Sequence, residues 1–365
     1  MPLIEVDVSC PVYDSFHVQQ VGGMFDLAIG PRAAERFRVE MPEMGDDWRV
    51  GLIAGPSGSG KTTVARRMFG EHLCRAGAWA DDRAVIDGFG NRPVKEIVSA
   101  LTAVGFGSPP GWIKPYRVLS GGEQFRCDLA RALLAAQETG DGPRPIVAFD
   151  EFTSVVDRNV AKIASAAIAK SIRSETVRCR FVAITCHYDV AEWLEPDWML
   201  DMAARRFDRR RLRRPKIELK LVRCRRTAWA LFARHHYLSG SLSPSARCFL
   251  ASWQGAPVSF CATLPLVGRQ GRWRVTRLVT LPDFQGVGIG SRVLETVAAL
   301  HRGEGLRVSI TTSHPAVIGH CRRSPLWRAV SVKRGGSCDA RHLAGGYRSS
   351  VGRGVVSFEY AKAEG

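Results

Sequence analysis

The feature that most constrains the fold is a stretch rich in glycine that ends in lysine and threonine, Gly55-Pro56-Ser57-Gly58-Ser59-Gly60-Lys61-Thr62-Thr63. It follows an apolar run over residues 48–54 and precedes a helix-like run over residues 64–69. A loop of this kind between a strand and a helix turns its backbone N–H groups around phosphate oxygens at the positive end of the helix. The sequence therefore predicts an α/β domain with a phosphate-binding loop.

Two side chains at the end of this loop have a predicted role in nucleotide binding. Lys61 is expected to reach the terminal phosphates of a nucleotide, and the Thr62 hydroxyl is expected to ligate Mg²⁺. The residues predicted to hold the nucleotide are Gly55, Ser57, Gly58, Ser59, Gly60, Lys61, Thr62 and Thr63.

Three further stretches of the first half contain candidate functional residues. Leu119-Ser120-Gly121-Gly122 stands where a new helix begins, which places free N–H groups and a hydroxyl at a second phosphate-binding end. The apolar run 145–149 ends in Asp150 and Glu151, and the apolar run 181–186 ends in His187. An acid at the end of a strand beside such a loop can hold Mg²⁺ through water.

The order of these motifs, with Ser154-Val155-Val156-Asp157 between the last two, resembles the ABC ATPase superfamily over residues 1–204. The resemblance implies that Asp150 is the Mg²⁺ acid, Glu151 the general base and His187 the switch histidine near the γ-phosphate. It also implies that Ser120, Gly121 and Gly122 cap an ATP held by the opposite subunit, which predicts a head-to-tail homodimer. Two departures are Phe152 in the usual place of proline and the absence of a convincing Q-loop glutamine.

Composition limits the class of protein. The ten cysteines form no C-x-x-C pair, and no apolar run approaches the ~20 residues of a membrane span, so a cytoplasmic protein without a membrane domain is expected. Residues 205–365 contain 30 Lys+Arg against 8 Asp+Glu, within a net charge of +17 for the chain. Such a basic half favours a polyanionic partner, because released counterions drive the binding, and nucleic acid is the expected partner.

Changes in composition suggest domain boundaries. The predicted organisation is an ATPase domain over residues 1–204, a basic linker over 205–228, a second domain over 229–334 and a basic Gly/Arg-rich extension over 335–365. Two shorter predictions are a strand within residues 15–21 and a strand with a turn over residues 83–90.

The second half predicts another phosphate site. A hairpin over residues 248–263 and a strand over residues 273–281 lead into Pro282-Asp283-Phe284-Gln285-Gly286-Val287-Gly288-Ile289-Gly290 and a helix from Ser291. A Gly-rich turn that opens a helix after a strand is a place for a pyrophosphate, although a dinucleotide-binding βαβ unit has a similar pattern.

The spacing Gln-x-x-Gly-x-Gly resembles motif A of the GNAT acyltransferases, which have an α+β fold and bind acetyl-CoA. Downstream, Ser313 and His320 stand where that family has asparagine and tyrosine. The resemblance implies that Val279 and Thr280 present backbone groups to the thioester and pantetheine of acetyl-CoA or another acyl-CoA. It implies that the pyrophosphate is held by Gln285, Gly286, Val287, Gly288, Ile289, Gly290 and Ser291.

Acyl transfer to an amine needs a base for the amine proton and an acid for the leaving thiolate. His320 is the first candidate for the acid, because imidazole supplies a proton near neutral pH. His236, Tyr237 and Asp283 are alternatives for the base. Residues 233–239 also resemble, faintly, the His-Tyr-Ser stretch of phage Mom-type DNA-modifying acyltransferases, whose aromatic groups could stack on a flipped base.

Together these motifs predict an α/β chain in which an ABC-type P-loop ATPase domain precedes a GNAT-type acyltransferase domain. The expected function is ATP-coupled acylation of nucleic acid with ATP, Mg²⁺ and acetyl-CoA. Three alternatives stay open: acylation of a protein or small amine, a degenerate GNAT domain that senses acyl-CoA, and a nucleic-acid-binding ATPase without transfer activity.

Overall fold

The computed structural model describes residues 3–40, 45–136, 144–209, 212, 214–236, 241–334 and 354–361. The strands are β1 (Leu3–Pro11), β2 (Arg32–Glu40), β3 (Val50–Ala54), β4 (Leu73–Cys74), β5 (Ile146–Phe149), β6 (Arg180–Thr185), β7 (Trp198–Asp201), β8 (Arg206–Asp208), β9 (Lys220–Cys224), β10 (Arg247–Trp253), β11 (Ala256–Pro265), β12 (Arg272–Thr280), β13 (Arg307–Thr312), β14 (Trp327–Arg334) and β15 (Gly354–Tyr360). The helices are α1 (Phe16–Phe25), α2 (Lys61–Phe69), α3 (Val94–Ala103), α4 (Pro109–Trp112), α5 (Gly121–Ala136), α6 (Arg158–Arg173), α7 (Ala191–Leu194), α8 (Trp229–Ala233), α9 (Ile289–Gly303) and α10 (Pro315–Arg323).

The described chain forms two compact units. Unit 1 takes its residues from 1–77, 132–155 and 172–214, and unit 2 takes its residues from 78–131, 156–171 and 215–365. The break at residues 214 and 215 falls inside the predicted linker. Two segments of the predicted ATPase range, 78–131 and 156–171, belong to unit 2, so the predicted domain ranges do not follow the compact units.

Unit 1 is built on a six-stranded sheet in the order β4-β5-β6-β3-β7-β8. All its neighbouring strands are parallel except β7 and β8. The central strand β3 is buried along its whole length, as expected for an apolar run inside a parallel sheet. The loops that follow β3, β5 and β6 therefore leave the same edge of the sheet, which brings distant motifs together.

The core of unit 1 collects around Trp198. Its ring stacks with Phe69 and Phe207 and meets Trp48 edge-on. A Cβ on Gly51 would lie 2.1 Å from the Trp198 ring, so only glycine leaves room for it. Phe152, which stands where ABC ATPases usually have proline, is fully buried and meets Phe149 and Phe181 edge-on.

Unit 2 includes the region of helices α3 to α6. Its polar centre is Asp128 on α5, which accepts hydrogen bonds from Trp79 Nε1 and Tyr116 Oη, each at 2.7 Å. The Trp79 and Tyr116 rings stack with centroids 4.8 Å apart, and the Arg131 guanidinium lies 4.0 Å from the Trp79 ring centroid. The segment around Trp79 is thus fixed by buried hydrogen bonds to α5.

The remainder of unit 2 is a seven-stranded sheet in the order β14-β15-β13-β12-β11-β10-β9. Its pairs are antiparallel except β12 with β13. Helix α9 buries Val293, Leu294 and Val297 and contacts β11, β12 and β13. No helix among the described residues combines the length and apolar character needed to cross a membrane.

Four local expectations are wrong. Residues 16–21 belong to helix α1, which the Ser15 hydroxyl caps through Val18 N–H, and residues 85–89 form a short 3₁₀ helix. The basic stretch is not a linker throughout, because β8 joins the sheet of unit 1 and β9 joins the sheet of unit 2. Residues 354–360 are not an extension, since β15 lies between β13 and β14. Of the predicted basic stretch, Arg210, Arg211 and Arg213 lie outside the described residues.

Candidate functional site

The predicted phosphate loop lies between β3 and α2, the strand and helix that its sequence implied. Gly58 and Gly60 have φ angles of 79° and 81°, a conformation that glycine adopts without strain. Gly60 caps helix α2, so Lys61, Thr62 and Thr63 form its first turn. A Cβ on Gly55 would lie 2.8 Å from Ser59 Oγ, so the absence of a side chain there lets the loop close on itself.

Polar atoms of this loop suit an anion. The Ser59 hydroxyl is buried and has no hydrogen-bond partner among the described residues. Lys61 Nζ donates to the carbonyl of Pro56 at 2.7 Å, which folds the ammonium across the loop. Burial lowers the pKa of Lys61, against the opposing effects of Cys186 and Asp150. A phosphate at this place would accept from the Ser59 hydroxyl and offset the cost of the buried ammonium.

Thr62 and Asp150 form the predicted metal pair. Thr62 Oγ1 donates to the Asp150 carboxylate at 3.0 and 3.1 Å from its two oxygens, and Asp150 is only 3% exposed. A hydroxyl and a carboxylate side by side are hard oxygen ligands of the kind that Mg²⁺ takes, with water and phosphate in its other positions. These residues fit the ion.

The two acids at the end of β5 occupy different environments. Asp150 is buried, and its Oδ1 accepts from the N–H of Glu151 at 3.0 Å. Glu151 is exposed with a φ angle of 53°, a left-handed conformation that is uncommon outside glycine. His187 follows β6 at the same edge of the sheet, is half-buried, and donates its backbone N–H to Thr185 Oγ1 at 3.1 Å.

The second predicted phosphate-binding end is the start of α5 in unit 2. Ser120 Oγ accepts from the N–H of Glu123 at 3.3 Å, and Glu123 Oε2 accepts from the N–H of Ser120 at 3.0 Å, which is a capping box. A Cβ on Gly122 would lie 2.9 Å from Val160, so α5 approaches α6 closely there. Ser120 and Gly121 are exposed, and this helix start is open to a ligand.

A cleft between strands marks the predicted acyl-CoA site. Strands β12 and β13 pair only through Arg272–Val275 and Arg307–Ile310, although β12 continues to Thr280. A register shift against β11 leaves Thr276 unpaired in the ladder. The final residues of β12, including Val279 and Thr280, therefore lack a ladder partner on the β13 side among the described residues. Backbone groups that face such a gap can bind the amides of an extended ligand. Two carbonyls there already accept side-chain hydrogen bonds, that of Val279 from Ser259 Oγ at 3.0 Å and that of Thr280 from Gln285 Nε2 at 2.8 Å.

The Gly-rich turn after β12 leads directly into α9. Gly286 and Gly288 have φ angles of 89° and 100°, and Gly288 caps the helix, so Ile289, Gly290 and Ser291 form its first turn. A Cβ on Gly290 would lie 2.8 Å from Thr280 Oγ1, which shows how closely the helix start approaches the end of β12. Free N–H groups at a helix start form an anion site, so this loop fits a pyrophosphate.

The candidate acid has a carboxylate neighbour. His320 lies on α10 with Nε2 3.0 Å from Glu295 Oε1 on α9, and both side chains are largely buried. Ser324 Oγ donates to the same oxygen at 3.1 Å. A protonated His320 would be attracted to the Glu295 carboxylate at this distance, although Nε2 makes no hydrogen bond of good geometry among the described residues.

The candidate bases differ in their surroundings. Burial lowers the pKa of His236 to about 4, with smaller contributions from Arg277 and His314, so this imidazole is neutral at pH 7. Asp283 Oδ1 lies 3.3 Å from Arg126 Nη2, so its carboxylate is engaged by a fully buried guanidinium. Tyr237 lies outside the described residues.

Residues 202–319 match the family model of the acetyltransferase (GNAT) family. None of the curated proteins is a significant match to the chain. A ribosomal-protein-S18-alanine N-acetyltransferase from Escherichia coli is similar at 15% identity, over 40% of this chain and 96% of that one, with a TM-score of 0.31. A GNAT acetyltransferase from Elizabethkingia anophelis with acetyl-CoA bound is similar at 10% identity, over 40% of this chain and 100% of that one, with a TM-score of 0.29.

For the other half, a dimeric ATP-binding cassette bound to ADP and phosphate is similar at 16% identity, over 46% of this chain and 87% of that one, with a TM-score of 0.34. The predicted GNAT domain is confirmed by the family match, and the mixed α/β fold class is confirmed. The cassettes are of the class that the motifs of the first half predicted. A TM-score this low carries no argument about function. The interpretation of residues 1–204 therefore depends on the sheet order and the motif geometry of the chain itself.

Sequence reasoning missed two residues at these sites. Arg75 donates through Nε and Nη2 to Asp150 Oδ2 at 3.0 and 2.8 Å, so a guanidinium already pairs with the carboxylate that is predicted to hold Mg²⁺. Glu295 beside His320 was also missed, since it is one carboxylate on a long amphipathic helix. Neither residue belongs to a motif, and both contacts join positions far apart in the chain.

Proposed function

We propose that this chain binds and hydrolyses ATP with Mg²⁺ as a head-to-tail homodimer and transfers an acyl group from an acyl-CoA to an amine of nucleic acid. The observation that supports it most is the gap between β12 and β13 beside the Gly-rich start of α9, because it joins a thioester-binding edge to an anion site. The absence of disulfides among the described cysteines agrees with action in a reducing cytoplasm.

In the ATPase half, the N–H groups of the loop, Ser59 and Lys61 would hold the phosphates. Bound Mg²⁺ would neutralise charge on the phosphates, held by Thr62 and by Asp150, directly or through water. Glu151, exposed at the end of β5, would orient and deprotonate the attacking water. Ser120, Gly121 and Gly122 of a second copy would complete the site, which is the support for a homodimer.

In the acyltransferase half, the amine attacks the thioester carbonyl, so a C–N bond forms as the C–S bond breaks. Neutral His236 can accept the amine proton, directly or through water, because its lowered pKa of about 4 leaves the imidazole neutral at pH 7. His320 gives a proton to the leaving thiolate, and Glu295 orients the ring. Acyl transfer thus needs no metal-bound step from this half.

Nucleic acid is proposed as the acceptor because of the positive charge of residues 205–365. Carboxylates are scarce in this range, and several of them are already paired with arginine, as in Arg247 with Glu304 and Arg307 with Glu359. Cations spread over an exposed surface bind phosphates without sequence preference. The exposed cations from residue 223 to residue 333 are Arg223, Arg225, Arg226, Arg234, Arg269, Arg274, Arg292, Arg302, Arg307, Arg322, Arg323, Arg328 and Lys333.

The test supplies purified protein with labelled acetyl-CoA and ATP, and offers DNA, RNA, mixed proteins and polyamines as separate acceptors. We expect label in nucleic acid, with a salt-dependent rate. We expect His320→Ala to lower kcat by about 100-fold without a matching rise in KM for acetyl-CoA. Label in protein or polyamine alone would contradict nucleic acid as the acceptor, but it would still support acyl transfer by this chain.

A second candidate function is acyl-CoA sensing by a GNAT domain without transfer. The engagement of Asp283 by Arg126 favours it, because one candidate base is then part of a structural contact. Tight acetyl-CoA binding with no label in any acceptor would support the sensor.

A further inference from the structure

The cofactor loop of the GNAT domain contacts a segment from the ATPase motif region, and both belong to unit 2. This segment is Gly105–Gly107, just after α3. The N–H of Gly107 donates to Gln285 Oε1 at 2.7 Å. The carbonyl of Gly107 accepts from His314 Nε2 at 2.9 Å, which fixes the proton on that ring nitrogen. Both polar backbone groups of one glycine are thus satisfied by residues of the GNAT domain.

The two backbones approach too closely for side chains. Gly105 has a φ angle of 85°, and a Cβ there would lie 2.8 Å from the carbonyl oxygen of Gln285. Gly286 has a φ angle of 89°, and a Cβ there would lie 2.6 Å from Ala167 Cβ and 2.8 Å from Gly105 Cα. Close packing of this kind transmits displacement, because neither side can move without opening a gap or a clash.

Gln285 connects this contact to the predicted thioester edge. Its Nε2 donates to the carbonyl of Thr280 at 2.8 Å while its Oε1 accepts from Gly107. One amide therefore joins the end of β12 to the Gly105–Gly107 segment. The backbone that would meet pantetheine is therefore connected, through Gln285, to Gly107, which lies 178 positions before Gln285 in the chain.

A second contact joins the same loop to the helix that starts at the Ser-Gly-Gly motif. Arg126 lies on α5 with its side chain 1% exposed, and its guanidinium reaches Asp283 at 3.3 Å. Burying a guanidinium is costly unless a carboxylate compensates it, so the Arg126–Asp283 pair resists separation. A shift of α5 would carry the loop with it.

We infer that Gly105, Gly107, Arg126 and Ala167 form a docking surface for the acyl-CoA loop, through which ATP binding and acyl-CoA binding are linked. This rests on the proposed function, since it needs both ligands. The start of α5 caps the ATP of a second copy, and the same helix holds the loop through Arg126. Fixing α5 in the ATP dimer lowers the entropy lost when the loop orders around a pyrophosphate, so ATP raises acyl-CoA affinity. The linkage is reciprocal, so acyl-CoA raises ATP affinity by the same factor.

The test measures the Kd of acetyl-CoA for the full chain by calorimetry, with and without Mg-ATP, in a Glu151→Gln background that retains ATP. We expect ATP to tighten acetyl-CoA binding at least about fivefold. Gly105→Ala should bring that ratio close to one, because the methyl group separates the segment from Gln285. Gly255→Ala is the matched control, since Gly255 has a φ angle of 82° with no atom within 4 Å of the added methyl group, so it has similar backbone strain without the contact.

His314→Leu gives a second variant if Gly105→Ala does not fold, and it should also lower the ratio because it removes the donor to Gly107. Failure of the wild-type chain to bind acetyl-CoA or ATP would defeat the proposed function itself. Binding of both with an unchanged acetyl-CoA Kd would overturn the linkage alone. A wild-type ratio in folded Gly105→Ala or His314→Leu would overturn the role of this contact.

Discussion

The two candidate sites are built in opposite ways. In unit 1, one continuous loop and the first turn of α2 supply most of the predicted phosphate-binding groups, and Asp150 joins them from the end of β5, which is separated from β3 by β6 in the same parallel sheet. In unit 2, the cleft proposed to bind acyl-CoA exists because β12 and β13 stop pairing, and its loop is held by residues from another part of the chain. The first site is local in sequence, and the second is a product of distant contacts.

This difference bears on how each site responds to change. A local loop keeps its geometry as long as the strand before it and the helix after it remain folded, so substitutions elsewhere should affect it little. A cleft held by distant contacts depends on every element that touches it. We therefore expect ATP binding to be weakened by substitutions within the loop itself. Acyl-CoA binding should be weakened both by substitutions in the cleft and by substitutions far from it in the chain.

The largest effect is expected from Lys61→Ala. Loss of the only ammonium across the described loop should lower ATP hydrolysis by at least about 100-fold, because a charge that stabilises the transferring phosphate is removed. In the absence of nucleotide, the acetyl-CoA Kd should stay that of the wild type. Steady-state phosphate release and calorimetry measure the two quantities.

Arg67→Ala is the control for Lys61→Ala, since Arg67 is an exposed cation on the same helix. It should leave hydrolysis near the wild-type rate. An equal loss in both variants, or a weaker acetyl-CoA affinity in nucleotide-free Lys61→Ala, would contradict the local character of the ATP site.

An effect of intermediate size is expected on the stability of unit 2 when the pH is lowered. The buried histidines among the described residues, His236 and His301, belong to unit 2, and burial lowers the pKa of each. A lowered pKa means that the unfolded chain binds the proton first, so stability is full above pH 6.5 and is lost as pH falls toward 4. For His236, whose pKa is about 4, the loss is on the order of 2 to 3 kcal/mol. Unit 2 should therefore lose stability in acid before unit 1.

Hydrogen exchange at pH 7.5 and pH 5, corrected for intrinsic rates, follows each unit separately. Protection in the sheet of unit 2 should fall more than protection in the sheet of unit 1. His236→Gln should reduce the difference, whereas His72→Gln in unit 1 should not, since His72 is exposed. An equal loss of protection in both sheets would show that these histidines do not set the acid response.

The smallest effect is expected from Lys170→Ala. Lys170 lies on α6, and its Nζ is 3.5 Å from the position that a Cβ on Gly288 would take, beside the start of α9. An ammonium there adds attraction for the diphosphate of acyl-CoA, so its loss should weaken acetyl-CoA binding about fivefold, roughly 1 kcal/mol. Acetyl-pantetheine, which lacks the diphosphate, should bind the variant and the wild type equally.

Lys162→Ala, eight residues earlier on the same helix, is the control for Lys170→Ala. It should leave both affinities unchanged. Equal weakening of acetyl-CoA and acetyl-pantetheine by Lys170→Ala would mean that the substitution disturbs the cleft rather than the phosphate contact, and would weaken the contrast between the two sites.

Local patterns predicted some elements and failed at others for identifiable reasons. The apolar runs 145–149 and 181–186 contain the largely buried strands β5 (Ile146–Phe149) and β6 (Arg180–Thr185), because an apolar run between turn signals fits the middle of a parallel sheet. Residues 15–21 alternate like a strand, yet the Ser15 cap and the following residues form α1. Residues 354–360 fall within the predicted basic Gly/Arg-rich extension, yet they form β15, which pairs with both β13 and β14.

The roles assigned to individual site residues stay predictions, but their placement is instructive. Thr62 meets Asp150 as the motif spacing implied, because strands β3 and β5 end at one edge of one sheet. The partnership of Arg126 with Asp283 had no signal in sequence, because it joins one arginine to one aspartate across 157 positions. Pairwise contacts of this kind carry no periodicity and no fixed spacing.

The sequence by itself determined the two Gly-rich loops that are predicted to bind phosphate, and the order of the motifs. Those features depend on residues adjacent in the chain, where glycine, a helix start and a lysine act over a few ångströms. Only the tertiary structure decided that residues 105–107 support the loop at Gln285, that β15 completes the second sheet and that Arg75 pairs with Asp150. These contacts exist because packing brings together residues that are distant in the chain, and no local sequence pattern predicts such contacts.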